Sequence, residues 1–265
     1  SVGVSAWFLL KKRHKEFALQ SIKIGAIFGL VSTLLSAWTG DGSGYQVAKT
    51  QPMKLAAMEG YYEGREGAGL VAVGLLNPDK EKYNDGKDPF IFRVEIPQML
   101  SLLAKRELNA FVPGVKDIIE GGYVQKDGTV ALSAAEKIER GKKAIAALAS
   151  YRSAKKEGNT VTADSAYVTL QENMAYFGYG YIKDVHHLVP NVPITFYAFR
   201  IMVMLGFYFI LFFAVVLFLV YKDKLAEMKW MHWIALLTIP LGYIAAEAGW
   251  VVAECGRQPW AIQDL

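Results

Sequence analysis

The stretch TFYAFRIMVMLGFYFILFFAVVLFLVY, residues 195–221, decides the fold class. It is longer than the about 20 mostly apolar residues an α-helix needs to cross a bilayer. Its only charge, Arg200, lies about one turn from one end. Outward from it, Trp230 to Ala253 is a second such run, with Pro240 and Glu247 inside. Phe17 to Trp38 is a third, carrying Gln20 and Lys23 near its start. Val2 to Leu10 (VGVSAWFLL) is equally apolar but half as long as a span requires. The chain opens at Ser1 with no initiator Met and no charged signal-peptide region, so this run is read as the tail of a helix that starts earlier.

The links fix the orientation. KKRHKE joins the first two runs, with Lys11, Lys12, Arg13 and Lys15; KDKLAEMK joins the last two, with Lys222, Lys224 and Lys229. Both are short and basic, which places both in the cytoplasm. Alternation then puts residues 39–194 and the tail after Glu254 outside. Trp38, Phe196, Tyr197, Tyr221, Trp230 and Trp260 sit where interfacial aromatic belts form. The expected architecture is an all-α integral membrane protein, a transmembrane helix bundle with a long extracytoplasmic segment of mixed helix and loop. It divides into residues 1–38, 39–194 and 195–265.

Composition excludes other classes. With 53% hydrophobic and 13% aromatic residues, the chain is too apolar to be disordered. Cys255 stands alone, which removes disulfide scaffolds and multi-cysteine zinc or iron–sulfur modules. A net charge of +4, spread over both signs, does not suit a dedicated nucleic-acid binder.

The outer segment is too long for a bare connector. Its Gly-rich start, TGDGSG, is expected to break the membrane helix. Pro52 suits the first turn of a new helix, MKLAAMEGYYE. Lys54 and Glu59 lie five apart on it and do not share one face. Residues 64–90 read as loop with a short strand, and Phe90 to Glu95 as another strand. Helices are expected over Ile96 to Lys105, Ala134 to Ser153 and Ala166 to Phe177. Gly178 to Pro193, with His186 and His187, reads as an irregular return to the membrane.

Ionisable groups in a bilayer are costly and are functional candidates by default. Lys23 is close enough to the cytoplasmic end to snorkel. Arg200 either snorkels outward or serves a site, and Met202, two residues deeper, is either core filler or a thioether ligand. Glu247 and Glu254 are seven apart, so they face one side of their helix. Glu247, the deeper, either bonds a neighbouring helix or belongs to a site. Glu254 sits in the dense cluster GWVVAECGRQPW. Trp250 is one turn before it on the same face, Gly256 lets the chain leave the helix, and Arg257 offers a guanidinium suited to a carboxylate. This cluster is either a helix cap with belt tryptophans or the holder of an anionic cofactor. The second use needs an axial oxygen ligand, an aromatic wall and an arginine for a propionate. Arg200 with Met202, and Trp250 with Glu254 and Arg257, share one membrane depth under the outer segment. A transporter places its site nearer the midplane.

Three segments carry a resemblance. GDGSGYQVAKTQPMKLAAMEG (40–60), FYAFRIMV (196–203) and EAGWVVAECGRQPWAI (247–262) resemble, in order and spacing, the signature segments of subunit I of cytochrome bd quinol oxidase. The similarity runs over nearly the whole chain and is weakest in residues 64–90 and 120–175. It implies that the outer segment is the quinol-oxidising Q-loop. The ample stretch 115–190 implies the long-loop form.

Residue by residue, the resemblance implies that Lys54 and Glu59 serve quinol binding and oxidation. Met202 is implied as an axial ligand of low-spin haem b, and Arg200 as the arginine that stabilises that haem when reduced. Glu254 is implied as the ligand of a high-spin haem in a di-haem oxygen site. Trp250 would lie between haems and Arg257 would bind propionates. Asp41 falls near the low-spin haem, and Glu247 falls in a family motif without an assigned role. The implied cofactors are low-spin haem b, high-spin haem b and haem d.

The implied activity is quinol:oxygen oxidoreduction in a bacterial or archaeal cell membrane, with the Q-loop outside. Glu59 would accept the quinol proton, and Lys54 would position the quinol oxygen or tune that carboxylate. Electrons would pass through the haems to reduce oxygen to water and build a proton motive force. The family's two N-terminal histidine ligands have no counterpart here: His14, His186, His187 and His232 are not at those places. The chain is therefore expected to be a C-terminal fragment, active only in a complete complex with the N-terminal helices of subunit I, subunit II and a small accessory subunit. Two other readings stay open: a non-redox membrane transporter or scaffold, and a relative carrying haem b in place of haem d.

Overall fold

A computed structural model describes residues 1–125 and 128–260; the last two residues of the third signature segment, 261–262, lie outside the described residues. In chain order, the elements begin with helices α1 (Val2–Leu10), α2 (Lys15–Thr50) and α3 (Pro52–Glu59). Strands β1 (Arg65–Glu66), β2 (Leu70–Leu76) and β3 (Phe90–Ile96) follow, then α4 (Met99–Lys105), β4 (Phe111–Val112) and α5 (Val115–Glu120). Next come α6 (Ala134–Lys156), α7 (Thr160–Asn173), α8 (Val192–Tyr221) and α9 (Lys229–Gly256). Short 3-10 turns cover Met174–Tyr181, Val185–Leu188 and Leu225–Glu227. Among the described residues, three helical stretches are long and apolar enough to cross a membrane: Lys15–Thr50, Val185–Tyr221 and Lys229–Gly256.

The chain separates into two compact units. The first comprises Ser1–Gly44 and Tyr197–Ala253. Its core is apolar and small-sided: Ala6, Ala18, Ile22 and Ala26 pack with Phe212, Val216, Leu219 and Ala235. Small residues let helix backbones approach, which is where packing energy comes from when lipid is the solvent. Two cross-helix hydrogen bonds add direction. Ser5 Oγ donates to Ser21 Oγ at 2.9 Å, and the Tyr208 and Thr238 hydroxyls lie 2.5 Å apart. Buried His232 is bonded through Nε2 to the Leu225 carbonyl at 2.8 Å, which ties the turn before α9 to its first residues. Lys23 places its ammonium over the Tyr221 ring at 4.8 Å.

The second unit comprises Tyr45–Phe196 and the residues from Glu254 onward. Strands β2 and β3 form an antiparallel pair, with Val73 opposite Val94 and Leu75 opposite Phe92; β1 pairs with β4. Beyond them α6 and α7 fold back as a helical hairpin. Ser133 and Glu136 form a reciprocal cap at the start of α6, and the Asn159 side chain caps α7. The 174–181 turn crosses α6 at two facing glycines: a Cβ on Gly141 would collide with the Gly180 N–H group. The core of this unit joins Met53 and Ala56 of α3 to Val115 and Ile119 of α5, Ala134 and Ile138 of α6, and Tyr179.

Three expectations are corrected. The Gly-rich segment 40–44 does not break the membrane helix; α2 runs through it to Thr50. A glycine costs a helix about 1 kcal/mol, which a long continuous helix absorbs, whereas proline stops it. The break therefore falls at Gln51, which leaves the helical conformation (φ −137°, ψ 62°) ahead of Pro52. Helix α3 does not reach Glu63: it ends at Glu59, because Gly60 adopts a left-handed φ of 62° and closes the last turn. Helix α7 starts at Thr160, ahead of the expected Ala166, because Asn159 supplies the cap.

Candidate functional site

In the second unit, α3 presents the two quinol-side candidates. Pro52 fixes its first turn and Gly60 its last, so only eight residues (Pro52–Glu59) separate a proline start from a left-handed stop. The helix buries Met53, Leu55, Ala56, Ala57 and Met58 along with Glu59, which is 2% exposed. A carboxyl buried to this degree is costly unless partnered, and such groups persist for chemistry or for a specific partner. The turn after Glu59 rests on an apolar wall. A Cβ added at Gly60 would stand 3.0 Å from the Phe90 ring, 3.2 Å from Leu76 and 3.3 Å from Phe196. Leu76, Phe90 and Phe196 form one cluster with Val71, the two rings meeting edge to face at 5.6 Å.

Lys54 points elsewhere, as a five-residue separation on a helix requires. It lies within electrostatic reach of both Glu254 and Arg257. Burial is the main cause that lowers its ammonium pKa from the ordinary value, and the Arg257 guanidinium lowers it further, while Glu254 opposes both. Its side chain can approach because residue 256 is glycine: a Cβ there would meet Lys54 Cγ at 3.0 Å and Thr195 Cγ2 at 3.3 Å. Thr195 is fully buried and donates to the Asn191 carbonyl at 2.8 Å.

Glu254 and Arg257 are bonded to one another. Arg257 Nη2 donates to Glu254 Oε2 at 2.6 Å, across one turn at the end of α9. Trp260 follows, with its N–H donating to the Arg257 carbonyl and its ring 4.7 Å from that of Tyr179. Tyr179 belongs to the turn that crosses α6, so the GRQPW segment is anchored to the latter half of the outer segment.

In the first unit, Arg200 is 8% exposed and sets its guanidinium over the Phe199 ring at 5.3 Å. Met202 is half-buried, and its sulfur lies where a Cβ on Gly249 would be 3.0 Å away. That glycine of α9 leaves room for the thioether. Glu247 is not buried against a neighbouring helix but exposed on α9, as is Trp250 at 63%. Tyr243, Glu247 and Trp250 recur at the spacing of one helical face, an open stripe in which apolar and acidic groups alternate. Asp41 is exposed on α2.

The nine candidates thus divide. Lys54, Glu254 and Arg257 come together, Glu59 is buried on the same helix as Lys54, and Met202 packs on the residue preceding Trp250. Three glycines stand beside them: Gly60 and Gly249 escaped the sequence reading, and Gly256 was read only as the exit from the helix. Each lies one or two residues from a candidate, in MEGY, AGW and ECGR, and a glycine next to a functional side chain is the signal that could have found them.

Among the described residues, no group of three or more histidine, cysteine, aspartate or glutamate side chains could hold a bare metal ion. The donors suit a metal bound within its own macrocycle instead. Met202 offers a neutral thioether seated against Gly249, and Glu254 offers a carboxylate oxygen next to a guanidinium. Each can supply one axial ligand to a haem iron.

The sequence profile of the family described as Cytochrome bd terminal oxidase subunit I matches residues 1–265, and the chain belongs to that family. It is 32% identical over 278 aligned residues to the Cytochrome bd-II ubiquinol oxidase subunit 1 of Escherichia coli, covering 100% of this chain and 50% of that one. It is 28% identical to the Cytochrome bd ubiquinol oxidase subunit 1 of Bacillus subtilis, covering 99% and 43%. The bd oxidase structure from Geobacillus thermodenitrificans superposes with a TM-score of 0.64 at 24% identity, covering 98% of this chain and 43% of that one, which establishes the shared helical membrane fold. The chain spans about half the length of the relatives it matches.

Proposed function

We propose that this chain supplies the quinol-side acid–base pair and one axial ligand to each of two haems in subunit I of a quinol-oxidising terminal oxidase. The observation that carries the reading is Lys54 lying beside the Glu254–Arg257 pair, so that a quinol-side residue and a haem-side residue share one environment. The relatives named above are quinol oxidase subunits, and the matched segments contain every one of these residues.

Met202 and Glu254 would hold the irons, and Arg200, Trp250, Arg257 and Asp41 would support them. The bound haems supply one-electron transfer and oxygen activation, which side chains cannot provide. Glu59, shielded from water, takes a proton as the quinol hydroxyl loses it, the role that suits a carboxyl in a low-dielectric site. Lys54 keeps a cation near the quinol oxygen and near Glu254. Arg257 holds Glu254 in one rotamer and can pair with a propionate by the same guanidinium. The segment 39–194 would be the Q-loop on the extracytoplasmic side, and its length, with α6 and α7 folded as a hairpin, supports the long-loop form. Subunit II, the N-terminal helices of subunit I and a small accessory subunit complete the complex. Haem d or a second high-spin haem b occupies the oxygen site.

The test is Glu59→Gln in the complete complex. Quinol oxidation is expected to fall about 10²-fold, the usual contribution of a general base, with the visible haem spectrum unchanged. Full quinol oxidation by the variant would refute the assignment.

A further inference from the structure

The ribbon formed by β2 and β3 turns its apolar side the wrong way for water. Between its two register shifts the pairing is regular, with Val73 opposite Val94, Gly74 opposite Arg93 and Leu75 opposite Phe92. Side chains alternate along a strand, so Val73, Leu75, Phe92 and Val94 share one face. All four are exposed, Leu75 at 51% and Phe92 at 59%. Arg93 and Glu95 alternate with them and belong to the other face, where they lie 3.6 Å apart and Glu95 also accepts from Arg65. That inner face includes buried Val71, and the register shifts return Leu76 to the core beyond Leu75. An antiparallel sheet with one side in water carries its polar residues on that side. Here the polar residues are inside and paired, and the open face is wholly apolar.

Two requirements bracket the surroundings that suit such a ribbon. The open face disfavours water. The edges disfavour hydrocarbon: among the described residues the sheet has two strands, so each keeps one edge without a neighbouring strand, and open sheet edges do not occur against lipid tails. The headgroup zone meets both requirements, because apolar side chains reach the acyl boundary there while backbone groups remain wetted.

The fold holds the ribbon at that level. Its loop-side end, Leu76 opposite Phe90, packs on Phe196, with the two rings 5.6 Å apart. Phe196 lies in the first two turns of α8, within a stretch long and apolar enough to cross a membrane. Leu75 and Phe92 are one and two residues along the strands from that contact, a rise of at most about 7 Å. One headgroup layer is about as thick. The apolar face is thus continuous with the membrane entry of α8.

We infer that the face carrying Val73, Leu75, Phe92 and Val94 is a membrane-interface anchor, seated in the lipid headgroup zone beside the start of α8. It rests on the membrane-spanning fold and does not depend on the quinol reading, since neither Lys54 nor Glu59 takes part.

Photocrosslinking tests it in the complete oxidase complex, reconstituted in nanodiscs of phosphatidylcholine and phosphatidylglycerol. Two separate variants, Phe92→p-benzoylphenylalanine and Leu75→p-benzoylphenylalanine, place the reactive group at exposed positions that tolerate a larger ring. After irradiation and digestion, mass spectrometry reads what has joined the peptides containing residues 92 and 75. A phospholipid mass on each peptide is the expected result. Crosslinks to another subunit, to the N-terminal helices of subunit I or to a second copy of the complex, without lipid, would overturn the anchor in favour of a protein contact. No adduct in either variant would overturn it in favour of a face open to water.

Discussion

The two units solve the problem of holding a polar group in opposite ways. The second unit buries Glu59 on an eight-residue helix pinned by a proline, a left-handed glycine and an aromatic wall. The membrane unit leaves Glu247 and Trp250 on an open helical stripe and holds Met202 by a single glycine on the facing helix. Glu59 is buried by its own unit, whereas Glu247 and Trp250 stand exposed on α9. A proton acceptor needs exclusion from water, which local packing provides. An axial ligand needs a donor atom at a defined height and an open face, which a rigid helix provides.

Substitutions sharpen this contrast. The largest structural effect is expected in the second unit, where α6 and the 174–181 turn touch at glycines. Gly141→Val would force them apart at a cost of about 2–3 kcal/mol, the range for overpacked contacts, and would loosen Tyr179 from Trp260. A fall in the melting temperature of the complex, with faster proteolysis of residues 134–181, would show it; an unchanged melting temperature would contradict the crossing.

A smaller effect is expected in the membrane unit. Gly249→Ala sets a Cβ 3.0 Å from the Met202 sulfur, so the thioether must shift by a few tenths of an ångström. Gly-to-Ala also favours the helix by about 1 kcal/mol. Little change in melting temperature is therefore expected, with a shifted low-spin haem band in the complete complex. Identical spectra would separate Met202 from the haem.

The smallest effect concerns pH. In the loop between β2 and β3, the Lys80 ammonium donates to Asp85 at 2.8 Å and to the Lys87 carbonyl at 2.8 Å. That ammonium, with the backbone N–H groups of Lys87 and Lys82, holds the Asp85 carboxyl well below the usual carboxylate range. A depressed carboxyl contributes stability that is fully present above its unfolded value of about 4 and is lost as pH falls through the folded value. The protection of backbone amides in residues 78–89, taken relative to their intrinsic exchange rates, should therefore fall below about pH 4 and lose that acid dependence in Asp85→Asn. An acid response that persists in Asp85→Asn would exclude this clip.

Much of the membrane unit was legible in the sequence because hydropathy and basic links act residue by residue. The run 195–221 predicts α8 to within a few residues, and the charged links bound α2 and α9. The outer unit was legible only where local chemistry decides. Pro52 marks the start of α3 and Ser133 with Glu136 the start of α6, whereas GDGSG suggested a break that the continuing α2 overrides. The candidate residues themselves were identified from their surrounding motifs. Their grouping was not, because Lys54 reaches Glu254 and Arg257 across some 200 residues of chain, and the space that permits it is the missing side chain of Gly256. An absent Cβ leaves no pattern of its own in a hydropathy profile.

The central claim is that this family member presents Met202 and Glu254 as haem ligands. A reduced-minus-oxidised visible spectrum of the complete complex, with and without Met202→Leu, tests it most directly. The low-spin haem b signal is expected to disappear in the variant while the high-spin signals, with a chlorin band if haem d is present, persist. An intact low-spin haem b signal in Met202→Leu would contradict it.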